Sequence, residues 1–129
     1  MKARKICIFG GSGFVGRHIA SRFSDAGLEV VIASRRVERS RSLAVLRGVR
    51  LVSYTPTDAD SVSAAIGDCD TVINLVGILN QSRQETFRKV HIEWPTALVA
   101  SCHNQGVKRV LHMSALNASE SHGSSHYLR

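Results

Sequence analysis

The 129-residue chain is predicted to be an α/β protein built on a doubly wound parallel sheet. Two observations predict this. Short apolar runs alternate with stretches of helical period along the sequence, and the first run ends in a glycine-rich loop that opens onto the first helix. Right-handed crossovers, together with a first strand feeding a glycine loop, suggest about five strands in the order 3-2-1-4-5, a Rossmann-like arrangement.

Each element follows from its residues. KICIFG (5–10) is a short apolar run closed by glycine and reads as a buried strand. FVGRHIASRFSDAG (14–27) places Val15, Ile19 and Phe23 at helical spacing and ends at Gly27, a suitable C-terminal cap. LEVVIAS (28–34) reads as a second buried strand, RSRSLAVLRG (39–48) as a short basic helix and VRLVSY (49–54) as a third strand. DADSVSAAIG (58–67) is a helix that Thr57 or Asp58 can cap. CDTVINLVGIL (69–79) holds a fourth strand and the loop after it. Residues 84–105 have helical character, but Pro95 lies inside. It removes one ladder bond and crowds the carbonyl of His91, so a kink or break is expected between His91 and Trp94. KRVLHMSAL (108–116) is a fifth strand entering a loop, and NASESHGSSH begins a C-terminal tail, 117–129, expected to be mobile.

The length suits one domain with a real core, 1–129. The formal charge of +7 favours an anionic partner such as a nucleotide phosphate. The 5% aromatic content and the absence of a recognised nucleic-acid motif speak against a nucleic-acid partner, although RRVERSRS offers non-specific phosphate contacts. Three scattered cysteines (Cys7, Cys69, Cys102) without a Cys-x-x-Cys read as reduced thiols in a cytosol-like compartment. No stretch has the length and apolarity of a transmembrane helix. His122 and His126 are four apart with His112 nearby, but no Cys pair or carboxylate completes zinc spacing, so no metal is expected.

The loop GGSGFVG carries the chemistry. It satisfies Gly11-x-Gly13-x-x-Gly16 and also Gly10-x-x-Gly13-x-x-Gly16. These glycines allow a tight turn, close approach of backbone to a pyrophosphate and close helix–strand packing, while the helix N-terminus offers free N–H groups to the phosphates. At the end of the second strand, where a carboxylate would bind a ribose 2′-hydroxyl, the sequence reads Ala33, Ser34, Arg35, Arg36. Two arginines suit a 2′-phosphate through charge-assisted bonds, with Ser34 adding a hydrogen bond. The expected cofactor is therefore NADP(H) rather than NAD(H). The competing reading is a solvated basic face, since Arg39, Arg41, Arg47 and Arg50 continue the run.

IFGGSGFVGRHIA, SRR, VINLVGIL and VKRVLHMSAL resemble the short-chain dehydrogenase/reductase superfamily, in its extended and atypical branch. Within that branch the chain is similar to nucleoside-diphosphate-sugar epimerase-like proteins related to the nucleotide-binding accessory subunit of mitochondrial complex I. The resemblance spans the whole chain and corresponds to the N-terminal half or so of such a protein, so an incomplete N-terminal fragment is expected. It implies that Gly10, Ser12, Gly13, Phe14 and Val15 line the pyrophosphate. Arg35 and Arg36 would hold the adenosine phosphate, and Leu75, Val76 and Gly77 would border the nicotinamide-side ribose. Ser114 would lie near the reacting end, and Tyr127 matches the tyrosine of Tyr-x-x-x-Lys. Three positions depart from the pattern: Thr55 stands where an adenine-contacting Asp is common, His91 where Asn is common, and Leu116 where the catalytic Ser or Thr often lies.

A tyrosine titrates near pH 10 and needs a cation four residues on to work at neutrality. In this sequence that position falls two residues beyond Arg129, so this chain by itself is expected to be inactive. Two functions are expected for the longer protein: an NADP(H)-dependent reductase, epimerase or dehydratase with Tyr127 moving the proton, or a non-catalytic structural or assembly factor of a respiratory or quinone-related complex. The substrate is not legible. The expected setting is cytoplasmic, with the periphery of a respiratory membrane as the alternative. The exposed edge of strand five is expected to favour self-association.

Overall fold

In a computed structural model the described residues are 4–10, 14–35, 37–76 and 92–113. They form one five-stranded parallel sheet in the order β3-β2-β1-β4-β5. The strands are β1 (Lys5–Phe9), β2 (Glu29–Ser34), β3 (Val49–Ser53), β4 (Thr71–Asn74) and β5 (Arg109–His112). The α-helices are α1 (Phe14–Asp25), α2 (Ala59–Ile66) and α3 (Trp94–Gln105).

Period-two alternation along β1 divides the core. Ile6 and Ile8 point to one face with Val30, Ile32 and Ile73, where Val15, Ile19 and Phe23 of α1 pack. Cys7 and Phe9 point to the other face with Val31, Ala33 and Val72, where α2 contributes Val62 and Ile66 and α3 contributes Trp94 and Leu98. The continuous apolar runs read from the sequence are thus strands covered on both faces. The chain leaves β1 toward β2 and later returns to β4 on the opposite side. β1 and β4 therefore flank the switch point, at whose carboxyl ends ligands bind in sheets of this kind.

The helix ends follow the expected chemistry. At Gly27 the Leu28 N–H reaches Phe23 O and the Gly27 N–H reaches Ser24 O, the paired bonds of a Schellman cap. Asp58, one of the two expected caps, accepts from the Asp60 and Ser61 amides at 3.1 and 3.4 Å.

One segment differs from expectation, and one is described only in part. The short α-helix expected over 39–48 is instead a 3₁₀ helix, Val37–Val45. Leu43 is its buried anchor while Val45 is 84% exposed, and serines compete for backbone hydrogen bonds, so little favours the α period over the tighter turn. Of the helical stretch expected over 84–105, residues 84–91 lie outside the described residues; the rest is α3, which starts at Trp94, where the break was expected, with Pro95 in its first turn. There proline costs no ladder bond. Ile92 and Glu93 form a π-type turn before it, and the Thr96 hydroxyl donates to Ile92 O at 2.8 Å.

Candidate functional site

Three strand ends meet at the switch point. The Leu75 amide donates to Phe9 O at 2.8 Å, and the Gly10 amide donates to Ala33 O at 3.3 Å. Gly10 is wedged between the two flanking strands. Its φ is +84°, and a Cβ there would lie 2.9 Å from Val76 N and 3.1 Å from Leu75 C. Only glycine fits this combination of a left-handed backbone and a touching neighbour. The chain then enters α1 at Phe14, whose first N–H groups face the same end of the sheet.

The fold brings several of the candidate residues together. Gly10, Val15 and Gly16 lie at the end of β1 and in the first turn of α1, Ser34 and Arg35 at the end of β2, and Leu75 and Val76 just beyond β4. Ser34 is buried and accepts the Tyr54 amide on its carbonyl, while Arg35 is exposed. Ser12, Gly13, Arg36, Gly77, Ser114 and Tyr127 lie outside the described residues, as does His91. Phe14 is described as the first residue of α1. Among the described residues no group of three or more His, Cys, Asp or Glu side chains could hold a metal.

Thr55, where an Asp is common in the resembling family, has its backbone engaged. Its N–H donates to Ser61 Oγ at 2.9 Å, and the Ser61 hydroxyl proton is shared between Asp58 O at 2.9 Å and Thr55 O at 3.1 Å. Asp58, three residues on, is a helix cap, as its sequence position implies.

Three aromatic residues outside the candidate set pack beside these strand ends. Phe9, Tyr54 and Trp94 make a buried aromatic triad, with Phe9–Tyr54 edge-on at 4.9 Å and both other pairs at 5.4 Å between centroids. Burial pushes the Tyr54 phenol up to about 12, against a weaker opposing pull from the charge of Arg35. Asn74, 1% exposed, closes the β4 end. Its Oδ1 accepts from Val76 N and from Trp94 Nε1, both at 3.1 Å, and its Nδ2 lies 2.9 Å from His112 Nδ1. The signal available in the sequence is the polar residue at the end of the apolar run TVIN.

A mouth formed by a glycine turn, a helix N-terminus and the ends of β1, β2 and β4 is the geometry that holds a dinucleotide. Comparison with known proteins agrees. The NAD dependent epimerase/dehydratase family model matches residues 6–126. The chain belongs to this family. It is 30% identical over 116 residues to NADH dehydrogenase [ubiquinone] 1 alpha subcomplex subunit 9, mitochondrial, of Mus musculus, covering 87% of this chain and 31% of that protein. The protein of the same name from Arabidopsis thaliana is 33% identical over 120 residues, covering 88% and 30%. The chain thus spans about a third of these relatives' length. In fold it is similar to uronate dehydrogenase from Agrobacterium tumefaciens, with a TM-score of 0.71 at 20% identity over 88% of this chain and 41% of that one. It is also similar to vestitone reductase from alfalfa, with a TM-score of 0.69 at 24% identity over 88% and 37%. Family membership makes the chain the dinucleotide-binding domain of an epimerase/dehydratase-family protein. No described helix is long and apolar enough to cross a membrane.

Proposed function

We propose that this domain binds NADP(H) in preference to NAD(H), with the adenosine 2′-phosphate on Arg35 and Arg36 and the pyrophosphate over Gly10, Ser12, Gly13 and the start of α1. One observation carries the reading. The end of β2 presents Ser34 and an exposed Arg35 where an NAD-selective site carries a carboxylate. A planar, permanently charged guanidinium matches a phosphate's oxygens and offers a ribose hydroxyl pair little. Leu75, Val76 and Gly77 would border the ribose on the nicotinamide side. Arg35→Ala and Arg36→Ala test the assignment: both lower affinity for NADPH and leave affinity for NADH nearly unchanged. Equal losses for the two cofactors would remove the 2′-phosphate from this end of β2.

In the longer protein this domain serves a hydride-transferring reductase, epimerase or dehydratase, with Tyr127 as proton donor or acceptor and Ser114 beside it. A second reading is favoured by the curated relatives, whose names place them in a mitochondrial NADH dehydrogenase. On that reading the domain holds its nucleotide as a structural or assembly factor at a respiratory membrane. Turnover of a carbonyl or sugar-nucleotide substrate by the longer protein, lost on Tyr127→Phe, separates the first from the second. The exposed Val110 and Leu111 on β5, an edge strand that pairs only with β4 among the described residues, support self-association.

A further inference from the structure

Asn74 stands at a junction of three elements. Backbone and indole N–H groups only donate, so the atom facing both Val76 N and Trp94 Nε1 is the carboxamide oxygen. That leaves the Asn74 NH₂ facing His112 Nδ1 at 2.9 Å, and an NH₂ only donates as well. His112 Nδ1 is therefore an acceptor, and the imidazole is neutral with its proton on Nε2. The carboxamide cannot be turned over to suit a charged ring, because its NH₂ would then face two other donors.

The junction sits where it matters for the ligand. Val76, whose amide Asn74 fixes, is the residue that Gly10 touches across the mouth of the site. Trp94 anchors the start of α3 to the same oxygen. His112 lies opposite Asn74 in the β4–β5 register. Partial burial lowers the ring's affinity for a proton, in keeping with a neutral acceptor. Across the groove beside β5, His18 and Arg22 of α1 line the same pocket as His112.

We propose that Asn74 is a positioning residue of the dinucleotide site and that it holds Val76, just beyond β4, in place only while His112 is neutral, so that protonation of His112 loosens the hold on the cofactor. A charged ring carries a proton on Nδ1, pointed at the Asn74 NH₂, and two donors then face each other. The strain falls on Asn74 and passes to Val76 and Trp94. This inference rests on the dinucleotide reading above, but the junction itself is open to an independent readout.

The test uses NADP⁺, which survives acid, titrated into the whole chain from about pH 7.5 to about pH 5, where histidine gains its proton. The 2′-phosphate also gains a proton in this range, so the readout is wild type against His112→Asn. Asparagine places an acceptor oxygen near the Nδ1 position and does not titrate. Wild type is expected to lose about tenfold more affinity than the variant over that range, as fits the loss of one part-buried hydrogen bond. Parallel profiles would overturn the proposal. A nitrogen-detected NMR titration of the free chain reads the junction without ligand. The expected result is a neutral Nε2–H tautomer, with the Val76 amide and Trp94 indole signals moving at the His112 midpoint. An Nδ1–H tautomer, or signals indifferent to His112, would also overturn it. Absence of NADP⁺ binding at every pH, with the NMR signature intact, would remove the cofactor reading and with it the positioning role, and leave the Asn74–His112 switch standing.

Discussion

Gly10→Ala tests the local geometry of the site in one substitution. The residue has φ +84°, a conformation that costs an L-residue roughly 1–2 kcal/mol. The added methyl would also lie 2.9 Å from Val76 N and 3.1 Å from both Leu75 C and Val76 Cα. All three are backbone atoms, so no flexible side chain can swing away, and overpacking of this kind costs typically about 1–3 kcal/mol. The sum is about 2–5 kcal/mol out of a total stability on the order of 5–15 kcal/mol. With a urea m-value of about 2 kcal/mol/M the midpoint falls by about 1–2.5 M. Gly27→Ala is the control: its φ is +83°, but nothing lies within 4 Å of the new methyl, so it carries the backbone strain alone, about 1–2 kcal/mol. Equilibrium urea unfolding followed by Trp94 fluorescence measures both. If Gly10→Ala costs no more than Gly27→Ala, the β1 turn and the β4 loop are not in contact.

Further outcomes follow from the core. Tyr54 has a folded pKa of about 12 against about 10 when unfolded, so its contribution is complete below about pH 10 and is lost as pH rises toward 12. Over that window wild type should lose about 2 kcal/mol more stability than Tyr54→Phe in urea melts, and identical alkaline profiles would contradict the buried triad. Asp58→Ala should destabilise by about 1 kcal/mol through the lost α2 cap, visible as a lower thermal midpoint. The Cys102 thiol, buried and pushed up to about 11, should resist alkylation in the folded chain at about pH 8 and react on unfolding; fast labelling of native protein would place it at the surface.

Much of this arrangement is legible in the amino-acid sequence, for reasons that differ by element. β1, β2 and β4 declare themselves because a parallel strand covered on both faces must be apolar at every position, as ICIF, VVIA and TVIN nearly are. The Gly10 turn is legible because its demand is local to the backbone. The 3₁₀ segment is not: Leu43 is buried and Val45 exposed, and that contrast depends on the neighbouring β3. The aromatic triad and the Asn74 junction are hidden because their bonds are non-local. Trp94 is 20 residues from Asn74, and His112 is 38. Trp94 is buried and donates to a carboxamide that nothing in its local sequence announces. Arg35 follows directly on β2, whose end is fixed by the sheet whatever the side chain. Tyr54 looks unremarkable as the last residue of an apolar run, although its ring covers Phe9 at the base of the glycine turn.

The central claim is that the end of β2 reads a 2′-phosphate. Its most direct test is a side-by-side titration of the chain with NADPH and NADH, followed by quenching of the single tryptophan, Trp94, which is hydrogen-bonded to Asn74 at the end of β4. Two charge-assisted arginine contacts predict NADPH binding at least about tenfold tighter. Equal affinities, or tighter binding of NADH, would contradict it.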